Sequence, residues 1–172
     1  MNNQIKVFGV AGYSGSGKTT LIEQLIPRFV MAGIKMSVIK HAHHHFDIDQ
    51  PGKDSYRHRE AGASEVLVAA SHRWVLMHEL RGEAEPDLPE LLARLSPCDM
   101  VLVEGFKHHS IPKLEVHRKT ADQPLLYPDD PYIIALATDE KLETALPQFG
   151  LDEYDAVAEF IMAHLGLRKL VK

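Results

Sequence analysis

The chain has 172 residues, 45% hydrophobic and 25% charged, the balance of an ordinary soluble globular protein and the length of one domain with a sizeable core. A formal charge of −5 argues against a broad electrostatic footprint for nucleic acid. With one cysteine (Cys98), no intrachain disulfide is possible, and no apolar run approaches the roughly 18 residues of a membrane span; a cytoplasmic protein without a leader peptide is expected.

Residues 5–11 (IKVFGVA) are a short apolar run ahead of a glycine, the pattern of a buried parallel strand. From residue 18 to about 32, Leu21, Ile22, Leu25, Ile26, Phe29 and Val30 recur at helical spacing, with Gly33 as the stop. Pro27 falls inside this pattern, so a kink or local break is expected there. Residues 36–40 (MSVIK) read as a second strand, which completes a right-handed βαβ unit. The polar stretch that follows, with its Pro51-Gly52 turn, reads as a loop, and residues 56–63 as a short helix. Residues 65–70 and 74–80 are strand-like and separated by three residues, which predicts a hairpin. A helix is expected over 87–95, strands over 99–106 and 132–138, a weaker strand over 113–117, and an amphipathic helix over 152–165. The predicted architecture is a three-layer α/β fold of the P-loop nucleoside triphosphate hydrolase type, a single domain with a mostly parallel sheet and an added β-hairpin.

Between the first strand and the first helix lies GYSGSGKT, residues 12–19, which fits G-x-x-x-x-G-K-[ST] at every constrained position. In such a loop successive backbone N–H groups face one concavity while the following helix offers its positive end. Gly12, Gly15 and Gly17 permit the unusual dihedrals, and Tyr13, Ser14, Ser16 and Thr20 complete the candidate phosphate cradle. Lys18 is placed to reach the β- and γ-phosphates, and the Thr19 hydroxyl to ligate Mg²⁺. An apolar strand ending in Glu104 (VLVEG) has the form of a second, cation-holding element. In an open parallel sheet ligands sit beyond the carboxyl ends of the strands, so the loop, Lys40-His41, Glu104 and Thr138-Asp139 are expected to converge on one edge. Asp139 has two readings. One carboxylate can accept both N1–H and N2–H₂ of guanine, which makes it a candidate base reader; alternatively it caps a helix over residues 140–146.

His41, His43, His44 and His45 lie together, followed by Asp47 and Asp49. Imidazole suits Ni²⁺ and Zn²⁺, so a transition-metal site is one reading. The other, which we favour, is a loop beside the phosphates in which His and Lys contact an anionic ligand and Asp47 or Asp49 approaches Mg²⁺. His108 and His109 are placed to line the same crevice.

The segments GYSGSGKTTL, VIKHAHHHFDIDQPGKDS, LVEGFK, PKLEVHR and ALATD occur in that order, and with them the chain resembles the MobB family of molybdopterin-guanine dinucleotide biosynthesis proteins over nearly its whole length. The resemblance implies a dimeric GTP-binding protein with weak GTPase activity that assists the guanylyltransferase MobA in attaching GMP to molybdopterin in its molybdenum form. It implies that the loop of residues 12–20 binds GTP phosphates, that Glu104 lies near Mg²⁺, and that Lys40, His41 and residues 51–55 belong to the pocket. His45 departs from the family pattern, where an acid is expected. A nickel-insertion GTPase would explain the histidines but lacks a cysteine-containing metal motif. A small-molecule kinase would require an arginine-rich lid, whereas Arg57, Arg59, Arg73 and Arg81 are scattered. Finally, the hairpin over 65–80 is apolar on both faces and predicts a homodimer in which two hairpins meet.

Overall fold

In the computed structural model, which describes residues 5–42, 46–106, 109–121 and 123–167, the elements in chain order are β1 (Lys6–Ala11), α1 (Lys18–Met31), β2 (Met36–Lys40), α2 (Asp54–Glu60), β3 (Glu65–Ala70), β4 (Arg73–His78), α3 (Leu88–Ala93), β5 (Met100–Glu104), β6 (Lys113–His117), β7 (Ile133–Thr138), β8 (Gln148–Phe149) and α4 (Tyr154–His164). They fall into two compact units, one formed by Met1–His41 with Leu91–Lys172 and the other by Ala42–Glu90.

The first unit is built on a six-stranded sheet in the order β2-β5-β1-β6-β7-β8, with every pairing parallel. Alternation along the strands turns Phe8, Val10, Met100, Leu102, Leu114, Val116, Ala135 and Ala137 into one core, where Leu21, Ile22, Leu25 and Phe29 of α1 and Val157, Ala158, Ile161 and Met162 of α4 meet them. Each large apolar side chain fully buried there contributes about 1.5–3 kcal/mol.

Helix α1 continues through Pro27 to Met31, so the expected break does not occur. Its apolar stripe, Leu21, Ile22, Leu25 and Phe29, is buried along the whole length, and tertiary packing of that stripe outweighs the one missing N–H. The helix stops where predicted. Gly33 takes φ 80°, its N–H donates to Val30 O, and Ile34 N–H donates to Phe29 O, a pair of bonds that satisfies the last carbonyls.

Strand β6 is stronger than its sequence suggests, for it is buried at all five positions between β1 and β7. Its polar residues lie on the face away from α1 and are individually satisfied. Lys113 Nζ pairs with Asp130 Oδ2 at 2.6 Å and donates to His109 O at 2.7 Å. Glu115 accepts the N–H groups of Leu126 and Tyr127 at 2.8 and 2.9 Å. Burial pushes the Glu115 carboxyl above its ordinary value, against the pull of those two N–H groups.

In the second unit β3 and β4 form an antiparallel hairpin in which Arg73 already pairs with Ala70, so the connection is two residues rather than three. Val66 and Met77 are buried opposite each other, while Leu67, Leu76 and Trp74 on the other face are exposed. Helix α2 starts two residues before the predicted position, at Asp54. No helix among the described residues is long and apolar enough to cross a membrane.

Candidate phosphate-binding site

The site is assembled at the carboxyl edge of the parallel sheet. Register places Lys40 beside Glu104, Glu104 beside Val10, Ala11 beside Glu115 and His117 beside Thr138, so the residues that follow these strands leave from one edge. Residues 12–17 turn from β1 into α1 with φ values of 141°, 78° and 102° at Gly12, Gly15 and Gly17. At Gly12 a Cβ would stand 2.5 Å from Val116 O and 2.8 Å from Ser16 Oγ, so only glycine lets the loop lie against β6. Gly15, by contrast, has open space where a side chain would be.

The start of α1 is bare. Its N-cap is Gly17, no side chain caps it, and its first turn holds no acid. Helices α2 and α4 lack a side-chain cap too but carry Asp54 and Asp155 in their first turns, and Asp87 and Glu90 cap α3 reciprocally at 2.9 Å each. An uncapped first turn leaves N–H donors and the positive end of the dipole for an anion. Lys18 Nζ donates to Tyr13 O at 2.7 Å, which folds the lysine over the loop. Ser16 Oγ is buried and makes no hydrogen bond to any described residue. A glycine cradle, an uncapped helix, a lysine over it and an orphaned hydroxyl together fit a polyphosphate.

A carboxylate completes the edge. Thr19 Oγ1 donates to Glu104 Oε1 at 3.2 Å, and Lys40 Nζ lies 3.6 Å from Glu104 Oε2. Behind Glu104 the chain is tightly wound: Gly105 has φ 92° and Phe106 φ 49°, and a Cβ on Gly105 would come within 2.9 Å of His41 Cβ. The His41 ring packs on Phe106 with centroids 4.8 Å apart, and Phe106 meets His109 edge-on at 4.9 Å. A non-glycine residue held at positive φ beside a binding loop is the kind of strain that functional sites store.

The model of the MobB family, molybdopterin guanine dinucleotide synthesis protein B, matches residues 7–139, from β1 through the end of β7. The chain belongs to the MobB family. A molybdopterin-guanine dinucleotide biosynthesis adapter protein of Haemophilus influenzae is 44% identical over 161 residues, which span 94% of this chain and 90% of that protein. One of Escherichia coli is 41% identical over 161 residues, with 92% of each chain covered. Among solved structures, a molybdopterin-guanine biosynthesis protein B aligns with a TM-score of 0.74 at 26% identity, covering 92% of this chain and 99% of its own. A MobB homologue from Bacillus stearothermophilus aligns with a TM-score of 0.70 at 27% identity, covering 93% and 97%.

Other candidates in this MobB chain are placed as follows. Asp139 caps no helix, because residues 140–147 are irregular; its Oδ1 instead accepts Lys119 N–H at 2.9 Å. Thr138 Oγ1 accepts Glu140 N–H at 3.2 Å, which shapes the turn beyond β7. Asp47 and Asp49 belong to the second unit, where Arg59 gathers three carboxylates: Asp47 at 2.7 Å, Asp49 at 3.2 Å and Glu79 at 2.7 Å. The Asp49 N–H, and after it the Arg59 guanidinium, hold the Asp47 carboxyl below its ordinary value. The carboxylates of Glu79 and Asp47 hold the Arg59 pKa above its own. His43, His44, His45 and His108 lie outside the described residues. Among those described, no group of three or more His, Cys, Asp or Glu is arranged to hold a metal ion.

Arg118 ends the segment PKLEVHR but takes no role of its own from the sequence; its Nε donates to Ser16 O at 3.1 Å. Its position one residue past the end of β6, at the same edge as Glu104, is the signal that would have found it.

Proposed function

We propose that this MobB-family chain binds GTP with Mg²⁺ on the loop of residues 12–20 and acts as the accessory protein that assists the guanylyltransferase MobA in attaching GMP to molybdopterin or its molybdenum form. The observation that carries the nucleotide half is the uncapped start of α1, with no acid in its first turn and Lys18 folded over the glycine loop. The adapter half rests on family membership and on the two bacterial relatives described as adapter proteins. The residues divide the work. Backbone N–H groups from Gly15 to Thr20 receive the phosphate oxygens, and Tyr13 and Ser14 form the outer lip of the loop. Lys18 exchanges its bond to Tyr13 O for the β- and γ-phosphates, which makes it the residue that stabilises charge developing during hydrolysis. Thr19 and Glu104 present the oxygen pair that would hold the cation, with Lys40 balancing the carboxylate and His41 packed behind it. Mg²⁺, when bound, supplies charge neutralisation across the outer phosphates. Thr138 and Asp139 face the base. Turnover is slow, and the protein works as a cytoplasmic homodimer.

Titration of the purified protein with GTP and ATP in Mg²⁺, alongside Lys18→Ala, tests this. Wild type binds GTP in preference to ATP and hydrolyses it slowly; Lys18→Ala keeps its melting temperature and loses hydrolysis. If Lys18→Ala hydrolyses GTP at the wild-type rate, the loop assignment fails.

A further inference from the structure

The carbonyl of Ser16 and the N–H of Gly17 belong to one peptide group. The bond is trans, as all described peptide bonds are, so oxygen and hydrogen point in opposite directions. The oxygen is held by Arg118 Nε at 3.1 Å, and the guanidinium packs on Gly17, with Nε and Nη2 each 3.4 Å and Cζ 3.9 Å from where a Cβ would sit. We infer that Arg118 is a positioning residue: by fixing the Ser16 carbonyl outward it aims the Gly17 N–H into the phosphate concavity, and so sets the affinity for the outer phosphates of a nucleoside di- or triphosphate. The inference rests on the nucleotide-binding function proposed above.

The loop needs such a device because of its composition. Flipping a peptide group changes ψ of the residue before it and φ of the residue after it. Here the residue after is Gly17, at φ 102°, a glycine to which both signs of φ are open. The peptide between residues 16 and 17 is therefore free to turn its carbonyl toward the anion, where it would repel it. A charged donor on the outer side selects the productive orientation, and a charge-assisted bond does so more strongly than a neutral one. The donor lies one residue past β6, the strand whose Val116 carries the carbonyl against which Gly12 is packed. The loop thus leans on β6 at two points, one steric and one polar.

Binding of GTP, GDP and GMP is measured for wild type, Arg118→Ala and Arg118→Lys, with thermal melting as a control. Arg118→Ala is expected to weaken GTP and GDP on the order of 10- to 100-fold, the loss that accompanies one charge-assisted hydrogen bond. GMP, which lacks the outer phosphates, is expected to change less than about twofold, and added guanidinium ion at millimolar concentration to restore part of the GTP affinity. Arg118→Lys keeps the charge without the flat donor and recovers only part. Unchanged GTP binding in Arg118→Ala overturns the inference while leaving the nucleotide reading intact. Equal loss for GMP and GTP, or full recovery with lysine, also overturns it, because the residue would then be general scaffolding or a mere charge. A wild type that ignores GTP overturns the nucleotide reading and this inference with it.

Discussion

Thr19 Oγ1 donates to Glu104 Oε1 at 3.2 Å, tying the first turn of α1 to the last residue of β5 across 85 positions of sequence. Glutamate reaches further than the aspartate usual at such a strand end, and the threonine hydroxyl meets that reach. Thr19 and Glu104 would together hold a divalent cation, the hydroxyl oxygen through a lone pair and the carboxylate through its charge. Thr19→Ala and Glu104→Gln are each expected to weaken GTP binding about 10-fold or more in Mg²⁺ and to leave it nearly unchanged in EDTA. Isothermal titration under both conditions decides; an equal loss with and without Mg²⁺ would place the pair outside the cation site.

Asp139 offers a separable test of base recognition. Asn keeps the Oδ1 acceptor for Lys119 N–H and removes only the carboxylate charge. Asp139→Asn is therefore expected to unfold within about 0.5 kcal/mol of wild type. Its preference for GTP over ATP is expected to fall at least 10-fold in competition binding. A preference that survives would move base reading to other residues.

Glu115 makes stability depend on pH. Its folded pKa is raised above the ordinary 4.5, so the native state holds a proton that the unfolded chain has released. This contribution is fully present below pH 4.5 and is lost as pH rises through the folded value. Urea unfolding from pH 4 to 8 is expected to show wild type losing stability relative to Glu115→Gln over the lower part of that range. A difference between the two that is flat with pH would mean burial does not govern this carboxyl.

The exposed hairpin face carries Leu67, Leu76 and Trp74, which stand 60%, 43% and 62% exposed, and a two-stranded ribbon is marginal by itself. A homodimer that covers this face is expected, with a dimer mass by light scattering at micromolar concentration and a monomer for Leu67→Lys/Trp74→Lys. A wild-type monomer at that concentration would refute the assembly.

How much of this was legible in the sequence varied with the residue. The glycine loop, α1, β2 and β5 were plain, because apolar periodicity and the lysine-threonine pair all agree there. Helix α1 survived Pro27 because Leu21, Ile22, Leu25 and Phe29 are anchored in the core, a fact about tertiary packing that local propensity does not hold. Of the two readings of Asp139, the helix cap does not hold, since residues 140–147 are irregular and lead into the two-residue strand β8, too short to leave a pattern. Arg118 closes the segment PKLEVHR and its place just past β6 puts it at the right edge, but its partner, a carbonyl 102 positions away, is visible only in the folded chain.

Strand β6 also bears on how the chain assembles. Lys113 and Glu115 are enclosed only because Asp130, Leu126 and Tyr127 meet them, and those partners are made later in synthesis. An ion sealed inside without its partner costs several kcal/mol, so β6 is expected to dock stably beside β1 only once Asp130 is available to pair with Lys113. Until then its lysine and glutamate keep the strand wetted and a poor template for pairing with other chains. The loop of residues 12–17 leans on Val116 and Arg118, so its shape is expected to depend on β6 being in place. The shape of the loop is thus expected to follow the closing of one polar strand rather than the formation of β1 and α1 alone.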